Sequence, residues 1–252
     1  MKIVISPAKS LNFERDLPHS TFTKSAFLSE SKLINKVLRT QKVDELSKLM
    51  DISSALAELN FQRNKLWKTP FTAENARPAI YAFNGDVYSG LDAYTLTQTQ
   101  QNAMQDKLRI LSGLYGILKP LDLIQAYRLE MGTKIAIGEI KNLYEFWKPK
   151  VTASLNKEMK KGELFVNLAS QEYFGAVDIK NLKVPVIHPE FKDYKDGKLK
   201  TISFFAKKAR GLMVRYILDT GAETVDDLKG FDYEEYRYDD SHSKGTNLIF
   251  TR

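Results

Sequence analysis

Hydrophobic and polar residues follow two periods along this chain, and these predict buried strands packed between amphipathic helices. Short apolar runs bounded by turn residues predict strands at Met1–Ile5, Leu164–Leu168, Val184–Ile187, Leu199–Phe205, Glu235–Tyr238 and Leu248–Thr251. Apolar residues recurring every three or four positions predict helices over Lys24–Met50, Ser53–Leu66, Thr97–Leu111, Lys150–Lys161 and Phe205–Leu218. The pattern of Glu74–Phe83 is ambiguous, because Pro78 argues against a continuous helix, and Ala79–Phe83 could be a short strand.

The turn residues set the expected topology of the sheet. Asp196-Gly197 is a hairpin signal that joins Glu190–Tyr194 to Leu199–Phe205 in antiparallel pairing. An antiparallel hairpin beside strands separated by helices is typical of a mixed sheet, not of a purely parallel one. The predicted fold class is therefore α/β, with a mixed sheet surrounded by helices in a single domain over residues 1–252.

Composition narrows the class of protein. The chain is 43% hydrophobic and 27% charged, which is typical of a globular protein with a full core. No apolar run reaches the ~18 residues needed to span a bilayer, and the first residues lack a secretory h-region. A cytoplasmic protein with no membrane partner is expected.

The metal-binding side chains are few. The sequence has no cysteine and three histidines, which excludes disulfides, thiol catalysis and cysteine-ligated metals. His188, Glu190 and His242 resemble the two-histidine, one-carboxylate set that binds ferrous iron, but so small a pattern arises easily by chance. The acidic residues at 232–240 are read as a solvated loop. No metal site and no cofactor is predicted.

The net charge of +7 is compatible with a polyanionic partner, so the distribution of the charge matters. On the helical wheel of Phe205–Ile217, one face is cationic and the opposite face is apolar. The cationic face consists of Lys207, Lys208, Arg210, Gly211 and Arg215. Gly211 would let a phosphate approach the helix closely. The alternative is a solvated basic face with Gly211 against another helix.

A second candidate element surrounds two glycines. Ser112, Gly113, Tyr115 and Gly116 could form the hairpin of a helix-hairpin-helix, in which backbone N–H groups hold phosphates, with Lys119 beside it. The usual motif separates its glycines by one residue, and here two intervene. A glycine-bearing turn packed on the core is the alternative.

Two strand ends carry polar residues. Ser6-Pro7-Ala8-Lys9 spells the S-x-x-K motif of serine acyl-enzymes, but it follows a strand and no S-D-N element accompanies it. We read it as a strand-end loop in which Lys9 could contact an anion. Ser170 is a credible N-cap, with or without an anion at that helix start.

Six segments spread over nearly the whole chain are specific when taken together: residues 5–11, 83–91, 111–122, 127–132, 166–170 and 205–213. In these residues and in their order, the chain resembles the YaaA-type family of bacterial peroxide-stress proteins. The resemblance implies a cytoplasmic protein that limits iron-driven oxidative damage. It also implies one α/β domain with a positively charged cleft, a helix-hairpin-helix-like element and DNA binding.

The predicted function is DNA binding by shape and charge, since no base-reading motif is evident. The residues expected to contact phosphates are Lys9, Lys119, Arg128, Lys207, Lys208, Arg210, Gly211 and Arg215. The alternative is an enzyme acting on a nucleotide or small anionic substrate in the same cleft, with Lys9 as nucleophile or base if it is desolvated. Its polar groups would be Ser6, Lys9, Arg128, Ser170 and Glu172. No catalytic constellation is identified.

Overall fold

Twelve strands form one large mixed sheet and two small antiparallel pairs in the computed structural model, which describes residues 1–252. The strands are β1 Lys2–Ile5, β2 Ser10–Leu11, β3 Arg77–Pro78, β4 Phe83–Asn84, β5 Leu108–Ser112, β6 Gly116–Leu118, β7 Leu123–Ile124, β8 Phe165–Leu168, β9 Val186–Lys195, β10 Lys198–Lys200, β11 Arg237–Tyr238 and β12 Asn247–Thr251. The order across the large sheet is β11-β12-β9-β8-β1-β5-β6, with β10 paired to β9.

The centre of the large sheet is parallel. β1 pairs with β5 on one side and with β8 on the other, and β8–β9 and β9–β12 are also parallel. All four residues of β1 are buried, as expected for a central strand covered on both faces. Antiparallel pairs lie at the edges, where β6 pairs with β5, β10 with β9 and β11 with β12. The predicted mixed α/β fold is confirmed.

Ten helices accompany the sheet. They are α1 Leu28–Leu38, α2 Val43–Met50, α3 Ser54–Leu66, α4 Ala79–Ala82, α5 Asp86–Leu91, α6 Gln98–Lys107, α7 Leu143–Glu158, α8 Gln171–Phe174, α9 Ser203–Thr220 and α10 Val225–Lys229. α9 contacts both α5 and β9, and α3 packs against both α1 and α2. None of the helices combines the length and apolar character needed to cross a membrane.

One continuous apolar core joins these elements. Its 67 buried residues come from both ends of the chain, from Met1 to Phe250, which makes the molecule a single domain. Trp147 is the largest fully buried side chain, and its indole Nε1 donates a 2.8 Å hydrogen bond to the backbone oxygen of Gly113. That bond ties α7 to the turn between β5 and β6.

Several helix boundaries differ from prediction, and the reasons are local. The segment predicted as one helix over Lys24–Met50 forms two helices, because residues 39–42 interrupt it. α2 has its own N-terminal cap, in which Lys42 N–H donates to the Glu45 carboxylate. The helix predicted over Thr97–Leu111 ends at Lys107, since Leu108–Ser112 is a buried strand. Ala79–Ala82 is a short helix, not a strand.

Two more differences concern α7 and β10. The helix predicted over Lys150–Lys161 begins earlier, at Leu143 after the N-cap Asn142, and ends at Glu158, so that Pro149 lies inside α7. The strand predicted over Leu199–Phe205 stops at Lys200, and α9 starts at Ser203. The hairpin at Asp196-Gly197 is confirmed, with both turn residues at positive φ.

Candidate functional site

A cavity of about 530 Å³ lies where β1 and β8 end. We call it the sheet-edge cleft, lined by residues 6–10, residues 84–88, Glu130, Ser170, Glu172, Tyr173, Lys207 and Arg210. β1 and β8 are neighbours in the large sheet. The next strand of that sheet along the chain is β5 after β1 and β9 after β8, and these two strands lie on opposite flanks of the β1–β8 pair. Such a switch point opens a crevice at the carboxyl ends of parallel strands, and ligands of α/β proteins commonly bind there.

The two loops of the crevice are held together by serines. Ser170 N–H donates to Ser6 Oγ at 2.9 Å, and the Ser6 hydroxyl lies 3.3 Å from Ser170 Oγ. Ser170 Oγ also caps α8 by accepting from Tyr173 N–H. Tyr88 donates a 3.1 Å bond from its hydroxyl to the Ser6 carbonyl, and burial raises the pKa of Tyr88 well above 10. These bonds fix the loop after β1, so the crevice is preorganised.

Charges of both signs face each other in the sheet-edge cleft. Lys9 Nζ lies 2.7 Å from one oxygen of Glu130, and Arg128 Nη2 lies 3.3 Å from the other. Glu172 accepts a 2.9 Å bond from Gly132 N–H. Lys9 is ion-paired and mostly exposed, so the desolvated lysine that the enzyme alternative requires is not found at this position.

Arg210 is the cation of the cleft that is half-buried without a partner. Neither Arg210 nor Lys207 makes an ion pair or a side-chain hydrogen bond within the protein, but Lys207 is exposed, whereas Arg210 is half-buried on α9. Burial lowers the pKa of Arg210, and the charge of Glu190 partly opposes that effect from beyond ion-pair distance. Arg210 also lines a neighbouring cavity of about 720 Å³, so it borders both spaces.

His188 lies in that neighbouring cavity, with its Nδ1 3.3 Å from Asn167 Nδ2. Burial lowers the pKa of His188 below its ordinary value of 6.5. A histidine whose folded pKa is depressed contributes stability above the unfolded pKa, and that stability is lost as the pH falls through the folded pKa. The imidazole therefore favours the folded state in its neutral form.

We expect His188 to titrate below pH 6.5 in an NMR experiment that follows its ring protons. The midpoint of urea unfolding should also fall as the pH is lowered from about 7 to about 5. His188→Gln should remove part of that dependence, while His242→Gln, at an exposed position, serves as the control. A His188 midpoint at or above 6.5 would contradict the inferred effect of burial.

Gly211 of α9 packs against α5 and does not face solvent. A Cβ built on it would stand 1.9 Å from the backbone oxygen of Val87 in α5, and one on Gly90 would stand 2.2 Å from the oxygen of Lys208. The two glycines thus let α5 and α9 cross at backbone contact. The prediction that Gly211 admits a phosphate is wrong, because the space is filled by α5.

The remaining predicted cations are dispersed. Lys207 is exposed at the sheet-edge cleft, whereas Lys208 is ion-paired with Glu234. Arg215 pairs with Asp219 at 2.9 Å and donates to Thr95 Oγ1. Lys119 is exposed outside both cavities, and its N–H donates to Asp122. The structure therefore brings Lys9, Lys207 and Arg210 to one cleft, with Arg128 behind Glu130.

The predicted hairpin around residues 112–116 is a β-hairpin in the structure. β5 and β6 pair from Ser112–Gly116 to Ile110–Leu118, so strands replace the two expected helices. Ser112, Gly113, Tyr115 and Gly116 are all buried, and the Ser112 hydroxyl bonds that of Tyr127 at 2.6 Å. A Cβ on Gly113 would meet the Leu129 carbonyl. These residues pack on the core and cannot reach a nucleic acid.

Sequence reasoning missed a second basic region, which lies on α1 and α3. Two adjoining depressions of about 440 and 580 Å³ share Arg39, Trp67 and Lys68. No aspartate or glutamate lines either depression. Their cations are Lys32, Lys36, Arg39, Arg63, Lys65 and Lys68, which we call the basic surface. None of the six forms an ion pair.

The scaffold of the basic surface is well ordered by hydrogen bonds. Trp67 is buried and donates from Nε1 to the Tyr115 hydroxyl at 3.0 Å. The side chain of Gln125 pairs with both backbone groups of Lys68, at 3.0 and 2.9 Å. Burial and the nearby charge of Arg128 lower the pKa of Arg63. The cations are thus concentrated on a hydrogen-bonded support, and no carboxylate lies among them.

No group of three histidine, cysteine, aspartate or glutamate side chains is placed to hold a metal ion. His242 Nδ1 lies 2.8 Å from Asp239 in an exposed turn. Glu234 of the acidic segment approaches Arg252 and pairs with Lys208.

Fold and site together define an α/β protein with a mixed sheet, a crevice at its switch point and a separate basic surface. Residues 1–242 match the family described as peroxide stress protein YaaA. A UPF0246 protein of Flavobacterium johnsoniae is 70% identical over 252 residues, and one of Flavobacterium psychrophilum is 66% identical, both over 100% of each chain. A UPF0246 protein of Alteromonas mediterranea is 53% identical, over 100% of this chain and 98% of its own. The chain belongs to the YaaA peroxide stress family, as the six segments predicted.

Proposed function

We propose that this peroxide stress protein binds duplex DNA through the basic surface, without reading sequence. The observation that carries the proposal is six unpaired cations with no acidic residue among them. Phosphates of a nucleic acid would supply the missing counter-charges, and release of condensed cations from the DNA would drive binding. Backbone phosphates are alike in every sequence, so recognition by shape and charge follows.

The geometry of the cations suits a duplex better than a small anion. Lys32 and Lys36 are one helical turn apart on α1, and Arg39 follows at the end of that helix. Lys65 and Lys68 lie at the end of α3 and just after it. The cations therefore flank two connected depressions from both sides, and they extend over two helices. Phosphates in a row along a groove match such an extended set.

We propose that the turn between α2 and α3, and not residues 112–116, acts as the phosphate-binding hairpin between two helices. The helices are joined by three residues, Asp51, Ile52 and Ser53, and Asp51 has the left-handed conformation that the usual motif gives to glycine. Ser53 caps α3, and Ser54 and Ala55 are exposed in its first turn. We propose that their free N–H groups add phosphate contacts to those of the basic surface.

Protection from iron-driven oxidation would then act at the DNA. A bound protein excludes solvent from the phosphate backbone and displaces cations condensed on it. Ferrous iron is such a cation, so occupancy of the duplex would lower the local production of oxidants. This route requires no iron site on the protein.

Fluorescence anisotropy with a short mixed-sequence duplex tests the proposal. If all six cations contact phosphates, the logarithm of the association constant should fall against the logarithm of salt concentration with a slope of about −5. Two duplexes of unrelated sequence should bind with the same affinity. An affinity that does not change with salt, or binding to one sequence only, would refute the proposal.

A further inference from the structure

Arg210 suggests a binding site that is separate from the basic surface. A half-buried guanidinium is costly when no carboxylate or carbonyl compensates it. The carboxylate that influences it, Glu190, is beyond ion-pair distance and lies 3.5 Å from Lys192 Nζ. A cation held without a partner at the wall of a cavity is arranged for an anion that enters from solvent.

The place of Arg210 in the fold strengthens this argument. It faces the sheet-edge cleft, which opens at the switch point between β1 and β8. At such a point the loops that follow the two neighbouring strands turn away from each other, and a ligand can bind in the crevice between them. The cleft volume of about 530 Å³ is in the range of small-molecule sites. Lys207, one turn of α9 away from Arg210, adds a second cation at the rim.

The acidic and amide side chains of the cleft supply different chemistry. Asp86, Glu130 and Glu172 present carboxylate oxygens, and Asn84 contributes an amide. Glu130 is already neutralised by Lys9 and Arg128, so it can accept hydrogen bonds from neutral hydroxyls without demanding a cation. A ligand that fits both sets of residues has a doubly ionised anionic group at one end and hydroxyl donors further along. Tyr88 and Tyr173, which also line the cleft, can contact an apolar or aromatic part.

We infer that the sheet-edge cleft binds a small hydroxylated organic phosphate, the chemical class of nucleoside monophosphates, with Arg210 holding the phosphate. The hydroxyl groups of the ligand donate to Glu130 and Glu172. Its flat portion lies against Tyr88 or Tyr173 within the same cleft. This site is independent of the DNA-binding proposal, because no residue of the basic surface lines it.

Isothermal titration calorimetry with adenosine 5′-monophosphate as the probe tests the inference. We expect the wild-type protein to bind the monophosphate, and to bind adenosine and inorganic phosphate at least tenfold more weakly. Arg210→Met should weaken binding at least tenfold, while Arg210→Lys should retain part of the affinity. Arg215→Met is the matched control on the same helix, since Arg215 is paired with Asp219 outside the cleft.

Folding of the variant can be checked in the same preparation. Removal of an unpaired, half-buried charge should leave the thermal midpoint of Arg210→Met unchanged or higher, in contrast to the loss expected if Arg210 had a structural partner. The inference is overturned if the monophosphate does not bind at millimolar concentration, if adenosine binds equally well, or if Arg210→Met binds like wild type. DNA affinity should be the same in Arg210→Met and Arg215→Met, which separates failure of this site from failure of the DNA proposal.

Discussion

Gly211→Ala is expected to destabilise the protein by about 3 kcal/mol or more. The added methyl group would lie 1.9 Å from the Val87 oxygen and 2.8 Å from Leu91 N, both of which are backbone atoms. Backbone cannot rotate away as a side-chain end can, so α5 and α9 must separate. The crossing also supports the loop of the sheet-edge cleft, since α5 follows Asn84 and Gly85 directly. Chemical unfolding followed by circular dichroism measures the loss.

Two further glycine variants calibrate that result. Gly90→Ala should be similarly destabilising, because its Cβ would stand 2.2 Å from the Lys208 oxygen across the same crossing. Gly132→Ala should cost little, since the nearest atom is the Glu172 carboxylate at 3.3 Å, which can shift. If Gly211→Ala unfolds at the wild-type denaturant concentration but loses DNA binding, Gly211 belongs to a phosphate site and the helix-crossing account is wrong.

Neutralising part of the basic surface is expected to have the largest effect on DNA. Lys36→Gln, Arg39→Gln and Lys68→Gln together should weaken duplex binding roughly 100-fold near 0.1 M salt, because three phosphate contacts and their counterion release disappear. All three side chains are exposed and unpaired, so the variant should fold normally. Equilibrium binding by anisotropy, with circular dichroism as the folding check, measures the effect.

A matched triple variant controls for the loss of net charge. Lys107→Gln, Lys200→Gln and Lys229→Gln also remove three positive charges, but each lysine is ion-paired, with Glu223, Asp196 and Asp226 respectively. Their carboxylate partners already neutralise them, so DNA affinity should fall by only a few-fold. Equal losses in the two variants would mean that net charge, and not the basic surface, governs binding.

Much of the sheet could be predicted from the sequence because its central strands are short, mostly apolar runs. β1 is buried throughout, as are Phe165, Val166 and Leu168 of β8, and that apolar pattern is visible without a structure. The boundary at Lys107 could not be predicted, since Leu108, Ile110 and Leu111 fit a helical period as well as a strand. Tertiary packing beside β1 decides between the two.

Some of the candidate site residues could also be predicted from the sequence, and others could not. The strand-end loop at Ser6–Lys9 was predictable from a strand followed by polar residues, and it does line a cavity. The helical wheel of α9 indicated a single core face, but Gly211, Val214 and Leu218 are buried too, because α5 covers the side that the wheel leaves to solvent. The helical wheel does not show which cations are paired. It places Arg210 and Arg215 on the same cationic face, but Arg215 forms an ion pair with Asp219, whereas Arg210 is half-buried and has no ion pair.

The basic surface was missed because its cations come from two segments about 30 positions apart. Lys32 and Lys36 share a face of α1, which is the one signal that the sequence offers. Nothing local indicates that Arg63, Lys65 and Lys68 adjoin that face. The contact is set by buried asparagines between α1 and α3, where Asn35 Nδ2 donates to the Asn64 carbonyl at 3.4 Å.

The salt dependence of DNA binding tests the central claim most directly. Association constants of the wild type, the basic-surface triple variant and the ion-paired triple variant should be measured over the same salt series. Each lost phosphate contact removes about 0.9 from the slope, so the basic-surface variant should have a slope shallower by about 2.7, whereas the ion-paired variant keeps the wild-type slope. Equal slopes for the wild type and the basic-surface variant would show that Lys36, Arg39 and Lys68 do not contact phosphates, and would contradict the proposal that DNA binds there.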